Sequence, residues 1–130
     1  MADIDFFKVV NDTYGHLIGD KVIRDIAKLI QASIRKDQDW VGRYGGEEFL
    51  ITLNNTDVKD AFIVCEKIRK IIENTTFEYE EAKVKVTASF GVYGIVSTKL
   101  DIEGFINAAD KSLYAAKVTG RNKTVISENI

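Results

Sequence analysis

The 130-residue sequence has no proline, and it has only one cysteine, one histidine, one methionine and one tryptophan. Cys65 has no partner for an internal disulfide, and it falls in a helical pattern where a small buried residue fits, so the compartment expected is a reducing one, the cytoplasm. His16 stands between Gly15 and a helix with no second His or Cys close by, which reads as a local turn contact rather than metal ligation. No apolar run approaches the roughly 20 residues needed to cross a bilayer. Asp3 and Asp5 follow Met1 where a signal peptide carries basic residues, so neither a spanning nor an exported segment is expected. An excess of one charge is also missing: 18 Lys and Arg face 20 Asp and Glu, for a net charge of -2. There is then no broad basic field for nucleic acid or an anionic membrane, and any recognition of phosphate must be local.

What is present is an ordinary globular mixture, 45% hydrophobic and 29% charged. That is enough for one domain, residues 1–130, around one core. No linker, internal repeat or low-complexity stretch interrupts it. Ala2 to Asp5 reads as a short strand, and Phe6 to Tyr14 as one or two helical turns closed by Gly15. Val22, Ile23, Ile26, Leu29, Ile30 and Ile34 recur at helical spacing, predicting an amphipathic helix from Gly19 to Ile34. Trp40 to Tyr44 and Glu48 to Leu53 form a predicted hairpin across Gly45 and Gly46, which tolerate positive φ. Asp57 caps a helix to about Ile72 with a buried stripe of Ala61, Val64, Cys65, Ile68 and Ile71 or Ile72. Lys83 to Tyr93 alternates with period two, predicting one half-buried strand. Asp101 caps a last helix with Ile102, Phe105, Ile106, Ala109, Leu113 and Ala116 inward, ending near Gly120, followed by a strand from Thr124 to Ile126 and a frayed tail. This order predicts an α+β fold, a central and mainly antiparallel sheet with helices packed on it.

The candidate chemistry has plain alternatives. Asp3 and Asp5 project from one face of the first strand, where an acid usually just meets water. An EF-hand needs Gly at the sixth loop position, and counting from Asp3 that position is Lys8. Gly45 and Gly46 serve a hairpin turn equally well with Glu47 and Glu48 as solvated charges. Lys117 and Arg121, four apart at a helix end, are also favoured there by the helix dipole. A hairpin lying beside the first strand, however, brings Glu47 next to Asp3, and two convergent carboxylates make a hard-cation site. Magnesium carrying a nucleotide triphosphate suits such a site, with Lys8, Lys117 and Arg121 on the phosphates.

Taken together, DIDFFKVVNDTYGHLIGD (Asp3 to Asp20), RYGGEEF (Arg43 to Phe49), ASFGV (Ala88 to Val92) and ADKSLYAAKVTGRN (Ala109 to Asn122) resemble the GGDEF family of diguanylate cyclases. The resemblance spans nearly the whole chain and implies the ferredoxin-like palm shared with class III nucleotide cyclases. It implies Mg2+, or Mn2+, bound by Asp3, the carbonyl of Ile4 and Glu47, with Glu48 in support. It places guanine contacts on Asn11 and Asp20, and phosphate contacts on the backbone near Phe6 and Phe7 and on Lys8, Lys117 and Arg121. Gly45 and Gly46 would let substrate approach the backbone. The implied reaction condenses two GTP into cyclic di-GMP across a homodimer, with Asp3, Glu47, Glu48, Lys117 and Arg121 as the catalytic set; a non-catalytic GTP-binding or dimerisation module is the alternative.

The sequence departs from that pattern twice. An inhibitory product site, RxxD in relatives, reads Lys36, Asp37, Gln38, Asp39 here, and Lys lacks the planar two-pronged contact of Arg. Arg35 is adjacent and expected to point elsewhere on a helix, so product inhibition is expected to be weak or absent. Relatives also begin with a helix and a DxLTxLxNRR stretch, whereas this sequence starts inside the first strand. A trimmed domain, lacking an upstream regulatory domain and exposing apolar surface that favours instability, association or strand exchange, is the expectation.

Overall fold

The computed structural model describes residues 1–80, 82–94 and 101–127. A short strand, β1 (Ala2–Ile4), leads through a tight turn into α1 (Phe7–Tyr14) and, after Gly15, α2 (His16–Ser33). Gly15 has φ 90, a conformation that glycine adopts without strain, and this allows two helices to follow each other with one residue between them. The hairpin of β2 (Trp40–Gly45) and β3 (Glu48–Thr52) follows, then α3 (Val58–Glu73). A small pair, β4 (Phe77–Tyr79) and β5 (Ala82–Val84), precedes β6 (Ala88–Tyr93), α4 (Ile102–Val118) and β7 (Thr124–Ser127).

Five strands form the main sheet in the order β2-β3-β1-β6-β7. β1 runs antiparallel to both β3 and β6, and only β7 lies parallel to its neighbour β6. The predicted α+β architecture is therefore the one observed. β1 sits at the centre, so its side chains are divided between two covered faces. Ala2 and Ile4 join Phe49, Phe90 and the apolar stripes of α2 and α3 in the larger core. Met1 faces the opposite way, into a smaller cluster with Ala109 and Leu113 of α4. Each fully buried Ile or Phe in these cores contributes roughly 1.5–3 kcal/mol of transfer free energy.

Both capping predictions hold: the Asp57 carboxylate accepts from the Asp60 N–H at 2.8 Å, and that of Asp101 from the Gly104 N–H at 2.8 Å. Other expectations need correction. The predicted strand from Lys83 to Tyr93 is two strands in different sheets, because β5 turns away to pair with β4, an element the sequence did not announce. Nor is β6 half-buried; all of Ala88 to Val92 is buried. The small residues in the alternation are there because α4 lies on them, and a Cβ on Gly91 would come within 2.2 Å of the Ala109 carbonyl oxygen. α2 begins at His16, so that residue opens a helix instead of making a turn contact. Ile102 is exposed, not part of the inward stripe of α4. The predicted frayed tail, residues 128–130, lies outside the described residues. Among the described residues, no helix is long and apolar enough to cross a membrane.

Candidate active site

Strand alternation decides which side chains meet. Asp3 and Asp5 share the face of β1 that looks toward α4, because Ala2 and Ile4 occupy the other. Glu48 lies directly opposite Asp3 in the β1–β3 register, and the Ile4 N–H donates to the Glu47 carbonyl at 3.3 Å. The β2–β3 turn therefore folds beside the opening strand. Gly46 has φ 28 in that turn, and its carbonyl accepts from Arg43 Nε at 2.8 Å. Gly45 keeps ordinary φ, and the space a Cβ would occupy at either glycine is open to 4 Å.

The result is a cleft of about 420 Å³. It brings together Asp3, Ile4, Phe6, Phe7, Lys8, Glu47, Glu48, Lys117 and Arg121 of the predicted site. Asn11 and Asp20 do not line it. Asn11 packs on α2, where its Oδ1 lies so close to Gly19 that a Cβ there would come within 1.9 Å. Asn11 Oδ1 is buried without a donor, and Asp20 is exposed on the next residue of α2. Gly45 and Gly46 stand at the rim beside Glu47 without lining the cleft.

Two features suit an anion. α1 starts without a side-chain cap after Phe6, which has φ 53, and its first residues, Phe7 and Lys8, line the cleft with Phe6. A non-glycine residue at positive φ is strained by about 1–3 kcal/mol, a cost typical of functional turns. Arg121 also has positive φ, 62, and its guanidinium rests 4.6 Å from the centre of the Phe6 ring.

Two further features suit a cation. Burial pushes Asp3 up to about 6; Lys117 opposes that shift, while Glu47 and Glu48 add to it through their charges. Glu48 is likewise raised, by burial and then by Asp110 and Glu47. Asp3 Oδ1 is buried and has the Lys117 ammonium, 3.1 Å away, as its ion-pair partner. Among the described residues no three His, Cys, Asp or Glu side chains converge tightly enough to hold a metal alone. Two carboxylates and a backbone carbonyl fit a hard ion that completes its shell with phosphate oxygens and water.

The sequence reading missed Asp110, Leu113 and Tyr114, which line the cleft from α4. Their spacing to Lys117 and Arg121, three and four residues apart, was the available signal for one helical face. It also missed Asp5, read as a solvated acid: this residue is 2% exposed and hydrogen-bonded throughout. Arg35 is a third correction. It lies past the end of α2, where its Nε and Nη2 grip both Asp39 oxygens at 2.9 and 2.8 Å and Nη2 also donates to Thr56 Oγ1 at 2.8 Å.

Comparison with known proteins identifies the family. The family described as "Diguanylate cyclase, GGDEF domain" matches residues 1–123. Diguanylate cyclase A of Treponema denticola is 44% identical over 129 residues, which cover 99% of this chain and 34% of the relative. The probable diguanylate cyclase DgcT of Escherichia coli is 42% identical over 130 residues, 98% of this chain and 28% of the relative. The chain thus spans about a third of the length of these relatives. Among solved structures, the active GGEEF domain of a diguanylate cyclase from Vibrio cholerae superposes with a TM-score of 0.88 at 39% identity, covering 99% of this chain and 81% of that one. The GGDEF domain of DgcB from Caulobacter crescentus, in complex with c-di-GMP, gives 0.90 at 30% identity, covering 98% and 75%. A GGEEF turn beside an acid-bearing central strand, in a chain matched from end to end of its described core, makes this protein a member of the GGDEF family of diguanylate cyclase domains.

Proposed function

We propose that this chain condenses GTP into cyclic di-GMP. Diguanylate cyclases of this family use GTP and a divalent metal ion. The observation that carries the reading is the one cleft that Asp3 and Glu47 line together with Lys8, Lys117 and Arg121, Lys117 Nζ lying 3.1 Å from Asp3. Asp3, the Ile4 carbonyl and Glu47 would hold Mg2+, or Mn2+, with Glu48 in support. The bound ion supplies Lewis-acid charge that acidifies a hydroxyl and offsets charge on a phosphoryl group.

The chain's own groups do the remainder. The N–H groups of Phe6 and Phe7 and the Lys8, Lys117 and Arg121 side chains bind the triphosphate and stabilise the leaving pyrophosphate. Asn11 on α1 and Asp20 on α2, outside the cleft lining, are assigned the guanine edge on the family resemblance alone, the Asp20 oxygens accepting from the base's N–H donors. Glu47 assists removal of the 3′-hydroxyl proton. That oxygen attacks the α-phosphate of the second GTP as the bond to pyrophosphate breaks, and the reciprocal attack closes the ring and releases a second pyrophosphate. Each subunit presents one GTP, so a homodimer is required. The cytoplasm, where GTP is abundant, is the proposed compartment, with regulatory input from further domains of the full-length protein.

Incubation with GTP and Mg2+ followed by chromatographic assay for cyclic di-GMP tests the reading, with Glu47→Gln expected to lower the rate at least 100-fold. GTP binding without any turnover in the unsubstituted dimer would instead favour a non-catalytic nucleotide-binding module.

A further inference from the structure

Asp5 belongs to no role assigned so far, yet its carboxylate is held by four hydrogen bonds from distant segments. Its side chain is fully buried, and each oxygen accepts two hydrogen bonds. Oδ1 receives Ser89 Oγ at 2.7 Å and Lys117 Nζ at 3.2 Å. Oδ2 receives Thr87 Oγ1 at 2.7 Å and the Asn122 backbone N–H at 3.0 Å. The Asp5 N–H in turn donates to the Thr87 carbonyl at 2.9 Å. A buried carboxylate is costly unless its lone pairs are filled in this way.

These bonds reach three segments that carry the cationic and N–H groups of the cleft. Phe6, with its positive φ, follows Asp5 directly and begins the turn into α1. Lys117 is bound by its ammonium group. Arg121 precedes Asn122, whose N–H Asp5 holds; both residues have positive φ, 62 and 47. The Asn122 side chain ties the same turn to α3, with Oδ1 accepting from Arg69 Nη1 at 2.9 Å and Nδ2 donating to the Glu73 carboxylate. Two adjacent strained residues persist only where surrounding contacts fix them.

We infer that Asp5 is a positioning residue that sets the β1–α1 turn, Lys117 and Arg121 in mutual register as a triphosphate cradle. The inference rests on the proposed GTP-binding role of the cleft. Its electrostatic logic is specific. Lys117 stands between Asp3 at 3.1 Å and Asp5 at 3.2 Å, so the Asp5 charge keeps the ammonium anchored when Asp3 is claimed by a cation. A carboxamide at this position has one acceptor oxygen and one NH2 donor. Whichever way it turned, the NH2 would face one obligate donor, either the Lys117 ammonium or the Asn122 N–H, while the Ser89 or Thr87 hydroxyl beside it would have to rotate from donating to accepting.

The test compares the unsubstituted protein with Asp5→Asn, with Asp5→Ser in case the amide variant does not fold, and with Ile68→Val as a core variant remote from the cleft. Acylation of Lys117 by an amine-reactive reagent, read by mass spectrometry without nucleotide and normalised to exposed Lys28, reports the ammonium position. Calorimetric titration with GTP and Mg2+, at a temperature where every variant is folded, reports the cradle. The Asp5 variants should label Lys117 at least fivefold faster and bind GTP at least tenfold more weakly, with Ile68→Val within twofold of the unsubstituted protein in both. A folded Asp5 variant with unchanged Lys117 labelling and unchanged GTP affinity overturns the inference. Failure of the unsubstituted protein to bind GTP overturns the nucleotide-binding reading instead, and the Lys117 labelling then decides the role of Asp5 alone.

Discussion

At the scale of single residues, the site carries its cost openly. Asp3 is partly desolvated, is only partly compensated by Lys117, and is pushed up to about 6 from a model-peptide value near 3.8. A carboxyl group raised in the folded state binds its proton more tightly there than in the unfolded chain, so stability falls as pH rises from about 4 to about 6. Asp3→Asn removes that loss. The variant should melt a few degrees higher than the parent at pH 7.5 without metal, about what a gain near 1 kcal/mol produces in a chain of this size. The difference should vanish below about pH 4. The same variant should lose Mg2+-dependent GTP binding by calorimetry. A melting temperature below that of the parent at pH 7.5 would show that the Lys117 ion pair outweighs the desolvation of Asp3. The residues themselves were legible: Asp3, Glu47, Lys8, Lys117 and Arg121 converge as the spacing and the family resemblance implied. Asp5 was not, because nothing in an alternating strand says whether an acid at its end meets water or four donors from distant segments.

At the scale of elements, the sequence conveys whatever depends on local period and caps, and less of what depends on pairing. The stripes of α2 and α3 and both aspartate caps are visible because they are set within a few residues. The split of the strand from Lys83 to Tyr93 is invisible because β5 leaves its own continuation to pair with β4, a choice made by tertiary contacts. The Arg35–Asp39 pair is a second such case, since it forms only once α2 has ended and the loop after β3 has come alongside. Asp39 is held down to about 2, first by the Arg35 side chain and with help from the Arg35 and Asn54 N–H groups. A carboxylate depressed in the fold contributes stability above the unfolded value near 4 that is lost as pH falls toward 2. Asp39→Asn should therefore melt below the parent at pH 7, with the gap closing by about pH 2. With both oxygens already gripped by Arg35 and Lys36 in place of Arg, cyclic di-GMP titrated calorimetrically should bind this site weakly or not at all. Tight binding abolished by Asp39→Ala would contradict that expectation.

At the scale of the whole molecule, one cleft supplies one set of phosphate and metal groups, whereas the proposed product contains two nucleotides joined by two new bonds. The cleft is about 420 Å³ and is lined by acids and cations together. A second copy of the chain, bringing its own GTP, is the simplest source of the second nucleotide, and its arrival becomes the step that concentration controls. If pairing is weak, doubling the enzyme concentration should raise the rate of cyclic di-GMP formation nearly fourfold at low concentration and only twofold once dimers saturate. Progress curves measured over a hundredfold range of protein, with sedimentation velocity on the same samples, connect the rate to the dimer fraction. Adding an excess of Glu47→Gln chains, which remove the 3′-hydroxyl proton poorly, should suppress the parent's activity by drawing it into mixed pairs. A rate strictly proportional to enzyme across the whole range, unaffected by that excess and measured on a sedimenting monomer, would mean that both GTP molecules react on one chain.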